Sequence, residues 1–319
     1  MPPDLPMKIV PLAAESLGVR SMATFVEVDG TGILIDPGAT LAPARFNLPP
    51  AEEEWEALRR ANDRISAYGT RAAFVFVSHY HEDHFRSHPA TYAGRRVLLK
   101  DPRRMVQGLQ AKRALELGRA LDGCAKVESA DGLVHREAAF TLEASAPLPH
   151  GLEGSTLGSV IALTVVDHAQ RERFVFASDV QGPLSPVAAA YLVRQRPSLI
   201  YLSGPPSYME HEVGAAVIDR GIDNLRGVIE ATGCRVIMDH HALRDLRWAE
   251  RFAPLFATGR VVTAAGFIGM DDTLLEIRRR ELWGQARRPA AKVGAAPTTV
   301  DAKTRRRMEK KSVKGGHRE

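Results

Sequence analysis

The sequence is short of cysteine, of long apolar runs and, over most of its length, of net charge. Each shortage removes a class of protein. Two cysteines in 319 residues, Cys124 and Cys234, allow one disulfide at most and no CxxC metal motif. A disulfide-stapled secreted scaffold is excluded, and a reducing cytoplasm is the expected compartment. No stretch approaches the ~20 apolar residues that span a bilayer, so no membrane partner is expected. The opening M-P-P-D-L-P-M-K-I-V lacks the basic-then-apolar pattern of a signal peptide, and none is expected. No internal repeat and no second folded domain are visible. The formal charge of +5 is concentrated at one end. Residues 285–319 carry 11 Lys/Arg and 3 Asp/Glu, whereas residues 1–284 carry 32 and 35. A nearly neutral domain over 1–284 therefore precedes a basic tail over 285–319. The tail is rich in Ala, Pro, Lys, Arg and Gly and is expected to be disordered. A basic total does not by itself make a nucleic-acid enzyme. What remains, 45% hydrophobic and 25% charged, is ordinary for a soluble α/β protein with one large core.

One stretch stands out against this background, F-V-F-V-S-H-Y-H-E-D-H at positions 74–84. Phe74 to Val77 is long enough for a buried strand and too short for a helix. Three of the eleven histidines (His79, His81, His84) then fall within six residues, with Glu82 and Asp83 among them. His79 and His81, two apart on extended backbone, point to one side. A turn after His81 aims Asp83 and His84 back toward the first pair. Imidazole and carboxylate donors suit Zn²⁺, Fe or Mn²⁺. One such histidine alone is usually a solvated loop residue; three after a strand point to metal.

H-Y-H-E-D-H at 79–84 resembles the H-x-H-x-D-H signature of the metallo-β-lactamase superfamily. The resemblance implies an α/β fold, a four-layer αββα sandwich with the metal site at the sheet edges. The rest of the chain supplies matching pieces in order. Strands are expected over 7–12, 24–28 and 32–35, with Asp29-Gly30 as a hairpin turn. Asp36 follows the third strand and matches the family's first motif, a residue supporting the metal loop. A helix over 51–67 is expected to turn Trp55, Leu58, Ala61 and Ile65 inward. A short strand at 97–99 precedes a basic helix over 102–121. Its Arg103, Arg104, Lys112, Arg113 and Arg119 read as a solvated face rather than a substrate-facing one. His150, after a strand near 139–142, matches the isolated histidine of the third motif better than His135, which precedes that strand. Asp179, closing a hairpin of strands at 160–166 and 173–177, matches the bridging aspartate. His168, in that hairpin's turn, reads as solvated. After the strand at 199–202, Ser203 and Tyr208 are candidate substrate contacts, and His211 is a further candidate. A helix is expected from 214 onward and again over 221–232. After the strand at 234–238 come His240 and His241. Position after the strand favours His240 as ligand, and alternation is expected to aim only one of the pair inward.

The resemblance implies two divalent ions, Zn with Mn or Fe as alternatives. His79, His81 and His150 would hold one, Asp83, His84 and His240 the other, with Asp179 between them roughly 3.5–4 Å apart. Water bound there would have its pKa lowered toward ~7, with Asp83 orienting it or passing a proton. The expected function is hydrolysis of an ester, thioester, amide or phosphodiester in a small-molecule or phosphodiester substrate. A narrower resemblance is carried by S-G-P-P-S-Y at 203–208 and D-H-H-A-L-R-D at 239–245. It is to an archaeal and bacterial group of predicted metal-dependent hydrolases, and it names no substrate. Three alternatives stand beside it. One is a non-catalytic binding protein of the same fold, disfavoured by the complete ligand set. A second is a nuclease whose tail binds nucleic acid. The third is a di-iron redox protein, for which an electron-carrying partner domain is missing.

Overall fold

The computed structural model describes residues 7–286. A first sheet of six strands runs in the order β1 (Lys8–Pro11), β2 (Thr24–Val28), β3 (Thr31–Ile35), β4 (Ala72–Val77), β5 (Arg96–Leu99) and β6 (Lys126–Ser129). Its first three strands are antiparallel, and β3 to β6 are parallel. Strands β7 (Val134–Arg136) and β8 (Phe140–Ala144) begin a second sheet. A two-stranded ribbon follows, β9 (Leu148–Pro149) with β10 (Ser159–Val160). The second sheet continues with β11 (Leu163–Asp167), β12 (Glu172–Ser178), β13 (Leu199–Ser203), β14 (Arg235–Asp239) and β15 (Val261–Val262). Its order is β15-β14-β13-β12-β11-β8-β7, with β12 to β15 parallel.

The alternation in each central strand builds the layers. Phe74 and Phe76 of β4 face the second sheet, packing with Phe140, Leu163, Phe174 and Phe176. Val75 and Val77 face the opposite way, onto α1 (Glu52–Gly69) and α2 (Gly108–Leu121) through Ala57, Ala61, Ile65, Ala114 and Leu117. The second sheet repeats the pattern. Val175, Ile200 and Val236 pack outward under α3 (Pro186–Gln195) and α4 (Ala215–Thr232). A strand covered on both faces reads as an unbroken apolar run, which is why F-V-F-V does not alternate in the sequence. Helix, sheet, sheet, helix is the expected αββα sandwich.

Several expectations are corrected. Trp55 is 45% exposed, and the inward face of α1 is Glu54, Ala57, Ala61 and Ile65. The helix expected from 102 begins at Gly108, because residues 102–107 form turns, and Met105 and Leu109 lie in solvent. The strand expected over 160–166 is two, since Ile161 and Ala162 leave the β9–β10 ribbon to enter the second sheet. One helix, α4, covers both helical stretches expected after 214. Of the basic residues of α2, Arg113 pairs with Glu82 at 2.7 Å and Lys112 with Glu116 at 3.8 Å. The basic tail lies, from residue 287, outside the described residues. Among the described residues, no helix is long and apolar enough to cross a membrane.

Candidate metal centre

Parallel strands deliver their C-terminal ends to one edge. Asp36 follows β3, His79 follows β4, Asp179 follows β12, and His240 and His241 follow β14. His150 joins them from the end of β9. The backbone bends sharply there. Asp36, Ser178 and His240 have φ of 44°, 52° and 55°, in the left-handed region that non-glycine residues rarely occupy. Each such residue costs roughly 1–3 kcal/mol and needs surrounding structure to hold it.

Among the described residues, four overlapping donor groups result, and two of them divide the site between them. His79, His81, His150 and Asp179 form one, and Asp83, His84 and His240 the other; within each group the ligand atoms lie within 4.8 Å of one another. Asp179 lies between them. Its Oδ2 is 3.6 Å from His79 Nε2, 3.4 Å from His150 Nε2 and 3.4 Å from His84 Nε2, and its Oδ1 is 3.7 Å from His240 Nε2. Asp83 Oδ2 is 3.4 Å from His240 Nε2. His79 Nε2 and His81 Nδ1 approach to 3.1 Å.

Most of these rings are held from behind. His84 Nδ1 donates to Asp36 Oδ2 at 2.8 Å, and His240 Nδ1 to Glu15 Oε2 at 2.7 Å. His79 Nδ1 meets Ser78 Oγ at 2.9 Å, and that hydroxyl reaches Asp36 at 2.5 Å and Ser178 Oγ at 2.7 Å. Fixing Nδ1 leaves Nε2 with its lone pair directed inward, the arrangement that outer-shell oxygens give metal-binding histidines. His84 Nε2 and Asp179 Oδ1 are buried with no hydrogen-bond partner. Buried polar atoms are rarely left so, and both face the cluster. The donor set and these two orphaned atoms fit divalent cations. His150 Nδ1 is likewise buried without a partner, so that ring lacks the outer oxygen that His79, His84 and His240 have.

No family model matches the chain. Curated relatives do. A UPF0282 protein of Thermococcus gammatolerans is 40% identical over 290 residues, covering 86% of this chain and 95% of the relative. A UPF0282 protein of Methanopyrus kandleri is 38% identical over 297 residues, covering 88% and 100%. The chain belongs to the UPF0282 family. Two solved structures that this UPF0282 chain resembles are less similar to it in sequence. Tm1679, described as a metal-dependent hydrolase of the β-lactamase superfamily, has a TM-score of 0.47 at 13% identity, covering 81% of this chain and 95% of its own. Unliganded yeast PDE1 has a TM-score of 0.46 at 10% identity, covering 81% and 98%. The metallo-β-lactamase-type fold of the UPF0282 chain rests on its own layers and strand order.

The electrostatics suits cation binding. Burial holds His79 well below its ordinary pKa, pushes His81 down to about 3 and His241 to about 4, so their lone pairs are free near neutrality. Burial alone would raise Asp83, but His84, His240 and Arg244 outweigh it and keep it ionised. Asp179 is likewise held low against burial, by His84, His241 and His240. On His84 burial is outweighed by Asp179, Asp36 and Asp83, which push it well up, so an ion binding there would displace a proton from its Nε2.

The remaining candidates divide. His241 is in the cluster as well as His240: its Nε2 is 3.3 Å from Asp179 Oδ2 and its Nδ1 is 3.0 Å from the Tyr208 hydroxyl. The expectation that only one of the pair aims inward fails because the strand ends at Asp239 and His240–Arg244 coil into a tight turn. Tyr208 is half-buried, with its ring stacked at 6° to that of His241. Ser203 stands behind the site, its hydroxyl accepting from the Gln181 amide at 3.3 Å. His211 is not brought in; its side chain is exposed and lies 3.4 Å from Glu212. His135 meets Glu137, and His168 meets Thr141 and the Ala138 carbonyl, so both are peripheral. Two residues escaped sequence reasoning. Glu15 bonds His240 and also accepts from Arg244 Nε at 2.6 Å. Burial pushes this carboxyl up to about 7 despite the arginine. Only the D-H-H-A-L-R-D run hinted at Arg244; nothing local marks Glu15, 225 residues from His240.

Proposed function

We propose that this chain is a metal-dependent hydrolase with a dinuclear centre. His79, His81 and His150 would hold one ion and Asp83, His84 and His240 the second, with the Asp179 carboxylate available between the two sets. The supporting observation is the convergence of imidazole Nε2 atoms on Asp179, with the opposite ring nitrogens of His79, His84 and His240 tied to outer oxygens. Zn²⁺ is the metal proposed; Mn²⁺ and Fe suit the same donors. When bound, the ions make water acidic enough to attack at neutral pH and offset charge on the departing group.

The chain's own residues do the rest. Asp83, partly exposed and held ionised, orients the attacking water and takes its proton. Asp36 locks His84 and, through Ser78, His79. Glu15 locks His240. Tyr208, half-buried and stacked on His241, is the proposed substrate contact; His81 and Asp83 are also partly exposed. The substrate class is an ester, thioester or phosphodiester. Both cysteines are free, which fits the proposed cytoplasmic setting. The test is elemental analysis of protein purified without added metal, followed by an ester and phosphodiester screen, with His79→Ala and Asp83→Asn as controls. The expected result is about two equivalents of metal, and hydrolysis reduced at least ~10³-fold in both variants with their circular dichroism unchanged. Absence of metal after reconstitution, or normal turnover in either variant, would reject the reading.

A further inference from the structure

Arg244 stands where a second cation is least welcome. It is 4% exposed, and its Nη2 lies 3.1 Å from both ring nitrogens of His240 and 3.4 Å from Asp83 Oδ2. Equal distances place the guanidinium against the ring, not in line with either nitrogen, so the Nε2 lone pair stays available. An ion held on Nε2 at ~2.1 Å therefore lies within about 5 Å of a guanidinium nitrogen. Glu15, which neutralises Arg244, sits at Nδ1 on the far side of the imidazole. It is thus farther from that ion than the positive charge is. Asp83 must also serve two cations, the ion and Arg244. Repulsion in such buried surroundings is weakly screened.

The other position is free of this burden. Among the described residues, His79, His81, His150 and Asp179 make no hydrogen bond or ion pair with an arginine or lysine. Resting on the dinuclear reading above, we propose that the two positions bind metal unequally. The His79/His81/His150 position fills first. The Asp83/His84/His240 position binds at least ~10-fold more weakly because Arg244 is fixed beside it. With metal limiting, the chain holds one ion, and the second is the one gained or lost as supply changes.

The test is a Zn²⁺ titration of chelator-stripped protein against a competing chromophoric chelator. Two steps of one equivalent each are expected, separated by ~10-fold or more. His240→Ala keeps the tight step and loses the weak one; His79→Ala loses the tight step. Arg244→Met combined with Glu15→Gln removes the cation together with its counter-ion, so that no buried charge is orphaned. Because the amide oxygen introduced by Glu15→Gln still accepts from His240 Nδ1, this double variant tightens the weak step at least ~5-fold and leaves the tight step unchanged. Equal steps in the native protein, loss of the tight step in His240→Ala, or an unmoved weak step in a folded double variant would each overturn the inference while the dinuclear reading stands. Failure of the native protein to bind Zn²⁺ at all would instead remove the dinuclear reading itself. If the double variant does not fold, the native protein and His240→Ala still decide which position fills first, and a native weak step that does not separate from the tight one overturns the inference.

Discussion

A single methyl group outside the cluster is enough to disturb it. A Cβ on Gly38 would lie 2.4 Å from the Phe85 amide nitrogen and 2.6 Å from that of His84. The metal loop is backbone at this point and cannot turn aside as a flexible side chain would. Gly38→Ala must push His84 away from Asp36 and Asp179. We expect metal affinity to fall ~10- to 100-fold, the range seen when outer support of a ligand is lost, in a protein that still folds; the Zn²⁺ titration measures it. Unchanged affinity would mean that the loop relaxes without moving its ligands. In the sequence, Asp36-Pro37-Gly38 reads as a turn, and the glycine's real reason, close approach of another loop, is invisible there. The cluster from His79 to His84 is legible because its donors are neighbours in the chain. His150, Asp179 and His240 are legible because each follows a strand. Glu15 follows no such rule, and neither does the kink at His240 that turns His241 inward as well.

Elements show the same division between what is local and what is not. The strands are readable because apolar residues of both faces run together in β4, β12, β13 and β14. The buried face of α1 is misread because its key residue is charged. Glu54, 1% exposed, receives Arg279 through two bonds of 2.8 and 2.7 Å, while also accepting from the Ala51 amide at 2.9 Å. Arg279, 0% exposed, further donates to the carbonyls of Leu48 and Ala42. A period-3.6 pattern weighted by hydrophobicity prefers Trp55 to a glutamate, since the partner is 225 residues away. A buried pair broken from one side leaves an uncompensated charge. Arg279→Met should therefore destabilise the fold by about 3–5 kcal/mol in urea denaturation. Glu54→Leu with Arg279→Met should cost less than the single change. A loss below ~1 kcal/mol in the single variant would mean that water reaches Glu54.

For the whole molecule, the site is also a clasp. His79, His81, Asp83 and His84 come from the first sheet, while Asp179 and His240 come from the second. An ion held by both sets stabilises the packed state over any state in which the sheets separate. With free metal 100-fold above its dissociation constant, the gain is about 2.7 kcal/mol per ion. Stripping the protein with chelator should lower its melting temperature, and Zn²⁺ should restore it. An unchanged melting temperature would show that the ligands do not hold metal. The basic tail poses a separate question, because its charge opposes that of the domain it follows. Residues 1–284 carry 32 Lys/Arg and 35 Asp/Glu, so removal of residues 287–319 leaves a nearly neutral protein. If the tail is an electrostatic arm for nucleic acid, its deletion should abolish retention on single-stranded RNA or DNA. In the full chain that retention should weaken steeply as salt rises, because phosphate contacts release counter-ions. Hydrolysis of a small ester or phosphodiester should meanwhile stay within ~2-fold, since every proposed ligand precedes residue 241. Retained binding after deletion would move the nucleic-acid surface, if there is one, onto the folded domain. A fall in small-substrate turnover of more than ~10-fold would instead make the tail part of the catalytic unit.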